Sequence, residues 1–241
     1  MSEASDASIQ SLIERYYPPS THPYQRLTAE IHRNLRADAT VLEIGCGRTA
    51  PLLSAMKGQA ARLIGIDVVE FTITDPALEL CRNDVTAMTQ IADGSVNLSF
   101  SRSVMEHIDD VERAYAEIYR VLAPGGIYVF LTPNFWDYAS LIASVVPNSL
   151  HGRIVRATEG RDADDVFPTY YKSNTTSSIR RLSAAAGLSV QNLQYLGQYP
   201  AYFRFNRTLF HLGCLYGKTL ERFRPLHRLQ GWILCALRKA S

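Results

Sequence analysis

Long apolar runs are missing from this sequence, which narrows the classes of protein it can encode. No window among its 241 residues approaches the roughly 18 uninterrupted apolar residues of a membrane span. Residues 1–6 are polar and acidic and lack the apolar stretch of a secretory signal. We therefore expect a cytoplasmic protein.

Cysteine and histidine patterns typical of disulfide scaffolds and metal sites are also missing. The 4 cysteines share no CxxC spacing, and the 6 histidines form no HxxxH pair. We therefore expect neither a disulfide framework nor a metal site. The net charge of +2 is too small to indicate a dedicated nucleic-acid binder, so no nucleic-acid partner is expected.

The net positive charge is small overall, but positive residues are concentrated near the end of the chain. Residues 199–241 contain eight lysines and arginines against the single acidic Glu221, a net charge of +7 that leaves −5 for the rest. Such segregation indicates an anionic partner at the C-terminal end.

Strand-like and helix-like segments alternate along the chain. Several of the strand-like runs are fully apolar at their centres, as parallel strands covered on both faces are. This alternation predicts an α/β fold with a doubly wound, mostly parallel sheet and helices on both faces. Strands are predicted at 40–45, 62–66, 78–81, 96–101, 127–132, 189–195 and 232–237, and helices at 8–17, 24–35, 110–122, 136–146, 174–186 and 206–223. Irregular segments are expected at 71–76 and 147–169, a helix end at Pro124-Gly125-Gly126, and a helix cap at Asn174.

The strongest local signal is the glycine loop Gly45-Cys46-Gly47, directly after the first predicted strand. Glycines there let the backbone approach a ligand closely, and a following helix N-terminus would offer free N–H groups. Twenty residues beyond Gly47, Asp67 ends the second strand, where a carboxylate can accept hydrogen bonds from ribose hydroxyls. The same glycines also fit a tight turn without a ligand. With Ala50 they fit a nicotinamide dinucleotide fingerprint as well.

Acidic side chains near this loop bear on the choice of ligand. Glu43 lies in an otherwise apolar strand, where a cationic ligand would stabilise its charge and a pyrophosphate would be repelled. Asp84 follows the third strand and could accept a hydrogen bond from an adenine amine, although an Asx turn explains the same position.

The order of these motifs resembles the class I S-adenosylmethionine-dependent methyltransferases, in the small-molecule, type 11-like branch. The motifs that carry the resemblance span about residues 24–134: 43–47, Asp67, Asp84, 104–107 and 120–126. The resemblance implies a Rossmann-like methyltransferase fold with a seven-stranded sheet whose last strand is antiparallel. It also implies S-adenosyl-L-methionine as the cofactor.

The resemblance further implies which residues contact each end of the cofactor. Glu43 and the backbone carbonyl of Ser101 would lie near the methionine ammonium. Gly45, Cys46 and Gly47 would pass under the methionine and the ribose.

At the nucleoside end, Asp67 would bind the ribose hydroxyls, with Val68 against the adenine. Asp84 would hold the adenine amine, and Val85 would pack on the ring. One departure from the family pattern is Thr49, which stands where a third glycine is common.

His107 is the candidate catalytic residue, because the resemblance places it on the methyl-acceptor side. An imidazole can remove a proton near neutral pH if the acceptor is a hydroxyl. The alternative is a histidine that caps or packs at the helix start near Asp109 and Asp110. Further candidates for contact with the acceptor are Tyr17, His22, Asn134, His151, Tyr170 and Tyr171.

Residues 206–224 predict a basic amphipathic helix. Such a helix can lie on an anionic membrane or hold a lipid-linked acceptor. It can equally cover a sheet edge or a dimer face. We therefore expect a monomer or homodimer with a candidate peripheral membrane contact through 206–224.

Together these features predict a methyltransferase that acts on a small-molecule or lipid-like acceptor at oxygen, carbon or nitrogen. One chain-wide domain is expected: an N-terminal helical arm (1–36), a cofactor-binding core (37–134), an acceptor-side insertion (135–188) and a final segment (189–241). An NAD(P)-dependent oxidoreductase is the alternative, disfavoured because none of the 13 tyrosines is followed four residues later by lysine. A catalytically inactive binding subunit is disfavoured because Glu43, Asp67 and Asp84 are all present.

Overall fold

The structure, a computed structural model, describes residues 3–138, 140–141 and 167–241, with side-chain surroundings from residue 8 onward. The predicted helix 136–146, the irregular stretch 147–169 and His151 lie wholly or largely outside these residues. The helices are α1 (Glu3–Tyr16), α2 (Pro23–Asn34), α3 (Pro51–Ser54), α4 (Val111–Val121), α5 (Thr176–Ala185) and α6 (Arg207–Arg222). The strands are β1 (Thr40–Ile44), β2 (Arg62–Asp67), β3 (Glu79–Arg82), β4 (Val96–Arg102), β5 (Leu122–Pro133), β6 (Leu188–Leu196) and β7 (Trp232–Lys239).

The seven strands form one sheet in the order β3-β2-β1-β4-β5-β7-β6. β1 pairs in parallel with β2 and β4, β2 with β3, and β4 with β5. Gly125 N donates to Ala240 O, and Asn134 N donates to Gly231 O, so β5 and β7 run antiparallel. The predicted α/β fold with a mostly parallel seven-stranded sheet is confirmed.

Burial of both sheet faces explains why the central strands read as nearly continuous apolar runs. Leu42 and Ile44 of β1, Phe100 of β4, and Tyr128 and Phe130 of β5 are all buried. Each of the seven predicted strands is present, with some ends displaced by a few residues. The largest displacement is at β5, which begins five residues before the predicted position 127.

The junction of α4 and β5 differs from the prediction. The helix begins after Asp110, whose side chain accepts a hydrogen bond from Arg113 N, and it ends at Val121. Leu122 already has an extended backbone, with φ −65° and ψ 132°. The prediction that Pro124-Gly125-Gly126 ends the helix is therefore wrong, because these residues lie inside β5.

The cap of α5 also differs from the prediction. Thr175 Oγ1 accepts from Ser178 N at 3.1 Å, and Ser178 Oγ accepts from Thr175 N at 3.2 Å, which makes a capping box. Asn174, the predicted cap, is buried, and its Nδ2 donates to Thr132 Oγ1 instead. α6 is capped by Asn206, whose side chain accepts a hydrogen bond from Leu209 N.

The chain divides into two compact units, each with its own packing. The sheet unit comprises Leu27–Thr132, Tyr170–Gln194 and Leu234–Ser241, and the helical unit comprises Met1–Arg26, Pro133–Thr169 and Tyr195–Ile233. α1 and α6 of the helical unit pack together, and the buried residues between them are Ile9, Leu12, Tyr17, Phe210 and Cys214. Among the described helices, none has the length and apolar character needed to cross a membrane. The four-part organisation expected from the sequence stays a prediction.

Candidate cofactor and acceptor site

The glycine loop after β1 is bonded to the end of β2. Gly45 N and Cys46 N both donate to Ile66 O, at 2.8 and 3.2 Å. Gly47 N donates to Asp67 Oδ2 at 2.7 Å. The carboxyl end of β2 therefore fixes the path of the loop at the edge of the sheet where ligands bind in this class of fold.

Both loop glycines have φ +71°, a conformation that side-chain-bearing residues rarely adopt. A Cβ on Gly45 would overlap Val104 Cγ2, so this glycine is required by packing. At Gly47 no atom lies within 4 Å of the position a Cβ would take. Gly47 therefore leaves an open surface that a ligand can approach.

The helix that follows the loop is short. α3 has four residues, and the backbone N–H of Leu53 donates to Glu43 Oε2 at 3.0 Å. The expectation of free N–H groups at this helix start is therefore wrong at Leu53, because a side chain from β1 already uses that donor.

Glu43 is a buried carboxyl under the loop, with only 3% of its surface exposed. Burial raises the pKa of Glu43 to about 8, although the Leu53 N–H and the charge of Arg102 act in the opposite direction. A positively charged group placed beside Glu43 would favour its ionised form. The carboxyl is thus suited to an ammonium and unsuited to a phosphate.

Asp67 retains hydrogen-bonding capacity for a ligand. Its two oxygens accept from Gly47 N and from Val69 N, the latter at 3.2 Å. A carboxylate has about four lone-pair sites, so acceptor positions remain for a pair of hydroxyls. The neighbouring Val68 is 42% exposed, an apolar surface that a planar base could cover. These features fit the adenosine part of S-adenosylmethionine.

Asp84 forms the Asx turn that the sequence left open. Its Oδ1 accepts from Thr86 N at 2.7 Å and from Thr86 Oγ1 at 2.8 Å. Within the described residues, Asn83 Nδ2 is buried without a hydrogen-bond partner, so a donor beside Asp84 is unused. Val85 is buried. The adenine contacts of Asp84 and Val85 stay predictions.

Ser101 lies one residue inside β4, which extends to Arg102. The Ser101 Oγ and Tyr128 Oη atoms are 2.6 Å apart in the buried interior. The side chain of Ser101 is therefore used by the sheet, and only its backbone carbonyl is a candidate for the ligand. That contact stays a prediction.

His107 ends a short 3-10 turn, Met105–His107, that follows β4. Its side chain is part-exposed, and His107 Nε2 lies 4.0 Å from Glu106 Oε1. The capping alternative is wrong, because Asp110 caps α4 and Asp109 pairs with Lys172. Nothing in these contacts engages His107 as a helix cap.

Glu106 is a residue that the sequence did not single out. It is buried, and it lies between His107 and the buried Thr132. Ser103 and Tyr171, on either side of this region in the sheet unit, have φ +55° and +53°. Positive φ at residues other than glycine is uncommon and concentrates at functional sites. No pattern in the sequence signals either conformation.

Among the described residues, the predicted acceptor-side candidates are divided between the two units. In the helical unit, the rings of Tyr17 and His22 each lie 6.4 Å from the Tyr199 ring. Burial lowers the pKa of His22. In the sheet unit, Tyr170 N and Tyr171 N donate to Glu106 O.

Asn134 has a different environment from the other acceptor-side candidates. It is buried, and Nδ2 donates to Arg228 O and Gln230 O at 2.8 and 2.7 Å. Its Oδ1 accepts from Trp136 N. Both ends of the amide thus join backbone segments of the helical unit, and its role towards an acceptor stays a prediction.

The strand order and the glycine loop bonded to an acidic strand end define a Rossmann-like fold of the class I methyltransferase type. Residues 42–130 match the sequence family described as a methyltransferase domain, the type 11 family. Within this domain lie Gly45, Asp67 and His107. Residues 42–130 are therefore similar to the class I S-adenosylmethionine-dependent methyltransferases, in their type 11-like branch.

Comparison with known proteins agrees with this assignment. A probable S-adenosylmethionine-dependent methyltransferase of Mycolicibacterium smegmatis is 34% identical over 137 residues, which cover 54% of this chain and 50% of the relative. A 24-methylenesterol C-methyltransferase of Arabidopsis thaliana is 28% identical over 99 residues, 37% of this chain and 27% of the relative. The chain therefore spans half or less of the length of these relatives, which share a domain with it.

A solved structure of similar fold is an S-adenosylmethionine-dependent methyltransferase from Mesorhizobium loti. It has a TM-score of 0.59 and 15% identity, and the match covers 90% of this chain and 97% of that one. At this identity the likeness defines the fold alone. The predicted fold class is confirmed, and so is the predicted resemblance to this family, whose cofactor is S-adenosylmethionine.

Proposed function

We propose that this chain is an S-adenosylmethionine-dependent methyltransferase that transfers a methyl group to a small-molecule or lipid-like acceptor. The observation that carries the proposal is the glycine loop bonded to Asp67, together with the buried Glu43 in the strand that leads into this loop. An ammonium, a ribose and an adenine are the groups that these residues and Val68 suit best. The sterol acceptor named for the plant relative supports an acceptor with lipid character.

The cofactor, when bound, supplies an electrophilic methyl on a positively charged sulfur. The protein therefore has to bind both substrates, orient them and exclude water. In our proposal Glu43 holds the ammonium, and Asp67 holds the ribose hydroxyls. In the same proposal His107 accepts the proton that a hydroxyl acceptor loses.

A nicotinamide-dependent oxidoreductase is the competing function. The buried Glu43 argues against it, because a cationic ligand stabilises the ionised form of this carboxyl and a pyrophosphate does not. Isothermal titration with S-adenosylhomocysteine and with NADH separates the two functions. We expect saturable binding of S-adenosylhomocysteine only, and saturable binding of NADH alone would overturn the proposal.

Methyl transfer itself can be tested before the acceptor is known. The protein is incubated with S-adenosylmethionine carrying a deuterated methyl group and with a lipid and small-molecule extract. Products that gain the labelled methyl are identified by mass spectrometry. We expect labelled product with the wild type and with Asp38→Ala, an exposed acidic control, and a large loss with Asp67→Ala. A binding-competent protein that labels no compound would indicate the inactive binding subunit.

We also propose that α6 contacts an anionic membrane surface as a peripheral helix. One face of α6 packs on α1 through Phe210 and Cys214. The other face and its flanks expose large apolar side chains, of which Leu212 is 57% and Phe205 is 67% exposed: Phe205, Leu209, Leu212, Leu215, Tyr216 and Phe223. Apolar side chains at this spacing are typical of interfacial helices.

Charge around this stripe supports an anionic surface as the occupant. Two of the eight C-terminal cations serve the sheet, since Arg238 donates to Gly125 O and Lys239 donates to Leu122 O. The other six surround α6 or lie just after it: Arg204, Arg207, Lys218, Arg222, Arg224 and Arg228. A cytoplasmic protein that binds reversibly to the membrane fits this arrangement.

Co-sedimentation with vesicles tests the membrane contact. We expect binding to phosphatidylglycerol-containing vesicles that weakens with salt, and little binding to pure phosphatidylcholine. Leu212→Gln and Arg207→Gln should reduce binding, while Arg181→Gln, an exposed arginine on α5, should not. If the protein does not bind the vesicles and light scattering shows a dimer, the exposed face of α6 is better explained as a dimer interface.

A further inference from the structure

The sheet unit contains a buried chain of polar side chains that ends at Glu106. Asn174 Nδ2 donates to Thr132 Oγ1 at 2.6 Å, and Thr132 Oγ1 donates to Glu106 Oε2 at 3.1 Å. Because the hydroxyl of Thr132 accepts from the amide, its own hydrogen is directed to Glu106. Glu106 Oε2 is therefore an acceptor in both protonation states of the carboxyl.

The second carboxyl oxygen of Glu106 faces His107. Glu106 Oε1 lies 4.0 Å from His107 Nε2, beyond hydrogen-bond distance, so the contact is electrostatic. Any proton that Glu106 carries lies on Oε1, since Oε2 accepts from Thr132. The backbone carbonyl of Glu106 accepts from Tyr170 N and Tyr171 N, which fixes the turn that carries both residues.

We propose that Glu106 is a positioning residue that raises the proton affinity of His107 by placing a buried carboxylate beside its imidazole. This inference rests on the proposed function, in which His107 accepts a proton from the acceptor. Removal of that proton creates an imidazolium, and the buried carboxylate beside it stabilises this charge more strongly than a solvent-exposed carboxylate could. Thr132 and Asn174 stabilise the carboxylate in turn.

The other titratable groups named here do not place a buried negative charge beside His107. Asp109 is exposed and pairs with Lys172, and Asp110 is engaged as the cap of α4. Tyr128 of β5 is fully buried, and burial raises its pKa far above the neutral range. Burial raises the pKa of Glu106 to about 7, with the hydrogen bond from Thr132 acting against that rise. The carboxyl thus changes charge in the range in which an imidazole titrates.

The experiment is an NMR titration of the histidine ring C–H signals in the protein without cofactor or acceptor. The His107 signal is assigned as the one absent from the His107→Gln spectrum. In Glu106→Gln we expect the pKa of His107 to fall by about one pH unit, a tenfold loss of proton affinity. The glutamine amide has the same size as the glutamate carboxyl and keeps an oxygen that can accept from Thr132. The substitution therefore tests the effect of the carboxylate charge alone.

Two further variants serve as a control and as a second test of the pairing. Glu79→Gln changes an exposed carboxylate that pairs with Arg62, and should leave the His107 titration unchanged. Thr132→Val removes the hydroxyl that stabilises Glu106, and should shift His107 in the same direction as Glu106→Gln. If Glu106→Gln does not fold, Thr132→Val carries the test.

The outcomes separate this inference from the proposed function. An unchanged pKa of His107 in Glu106→Gln, or in Thr132→Val where the former does not fold, would overturn the role of Glu106. The titration needs no methyl transfer, so a failure to find any methylated product would count against the proposed function and not against the pairing. A lower pKa of His107 in Glu106→Gln, with the pKa values of the other histidines unchanged, would support the role of Glu106.

Discussion

The backbone amide of Gly47 donates to Asp67, with 2.7 Å between Gly47 N and Asp67 Oδ2. This bond joins the loop after β1 to the end of β2 and gives one carboxylate two tasks. Asp67 holds the loop in shape and, in the proposed function, also binds the ribose. Variants at position 67 must therefore be interpreted with both tasks in mind.

Asp67→Ala should weaken S-adenosylhomocysteine binding by about 1–3 kcal/mol, because hydrogen bonds to a charged acceptor are lost. Asp67→Asn should lose less, since its amide oxygen can still accept from the loop. Calorimetry gives both affinities, with Asp38→Ala as the control. Equal affinity in wild type and Asp67→Ala would remove the ribose assignment.

The two loop glycines should respond differently to alanine. Gly45→Ala should lower the free energy of unfolding by about 1–3 kcal/mol beyond the backbone effect, because the new methyl overlaps Val104. Gly47→Ala meets no protein atom, so only the backbone cost of about 1–2 kcal/mol for positive φ applies. Urea unfolding measures both.

Cofactor binding should distinguish Gly47→Ala from a purely structural change. Because the methyl would project into the surface proposed for the ligand, we expect a loss of S-adenosylhomocysteine affinity in a folded protein. A folded Gly47→Ala variant with wild-type affinity would show that the ligand does not pass over this residue.

The affinity for S-adenosylhomocysteine should rise between pH 6 and pH 8. The pKa of Glu43 is raised to about 8 without a ligand, so the carboxyl is mostly protonated at pH 7. An ammonium beside it favours the charged form, and binding then releases a proton. Glu43→Gln should bind more weakly at pH 8 and lack this component of the pH dependence. Parallel affinity profiles for the two proteins would contradict the ammonium contact.

Stability should also depend on pH through the two buried carboxyls. Their pKa values are raised above the unfolded value near 4.3, to about 8 for Glu43 and about 7 for Glu106. The folded state thus binds more protons than the unfolded state between these limits, and stability falls as the pH rises from about 5 to 8. The fall should be smaller in Glu43→Gln and Glu106→Gln, as measured by urea unfolding at pH 5, 6.5 and 8. Identical slopes in wild type and both variants would disprove the raised pKa values.

His107→Gln should reduce turnover far more than cofactor affinity if a hydroxyl is methylated. Turnover is measured with an acceptor identified by the deuterated-methyl experiment, and affinity by calorimetry. A loss of about 10²–10⁴-fold in kcat is the range expected for removal of a general base. Unchanged kcat would show that the acceptor needs no base at this position.

Much of the sheet could be predicted from the sequence, because its central strands are buried on both faces. The apolar runs of β1 and β4 need no alternation of polar residues, and the periodicity of α4 places Val111, Ala114 and Ile118 on its buried side. The residues at which helices begin and end were less predictable from the sequence. Thr175 and Asn174 are both good caps, and the choice between them depends on which side chain Thr132 engages in the interior.

The site was predictable as far as it consists of local motifs. Gly45, Gly47 and Asp67 stand out as candidates in the sequence because their backbone geometry and spacing are constrained within one βαβ segment. The sequence analysis did not identify Glu106 as a buried residue, because a glutamate beside a histidine is typical of an exposed helix start. Its burial depends on contacts with Thr132, 26 residues away along the chain.

The resemblance to the family, the order of the strands along the chain and the acidic residues at the strand ends can all be inferred from local pattern and spacing. The environment of each carboxyl depends instead on how distant segments pack in the folded protein. Glu43 and Glu106 are buried and have raised pKa values, while Asp84 forms an exposed turn. The physical reason is that the charge state of a carboxyl depends on desolvation and on donors from distant segments, and neither quantity is encoded in the neighbouring residues.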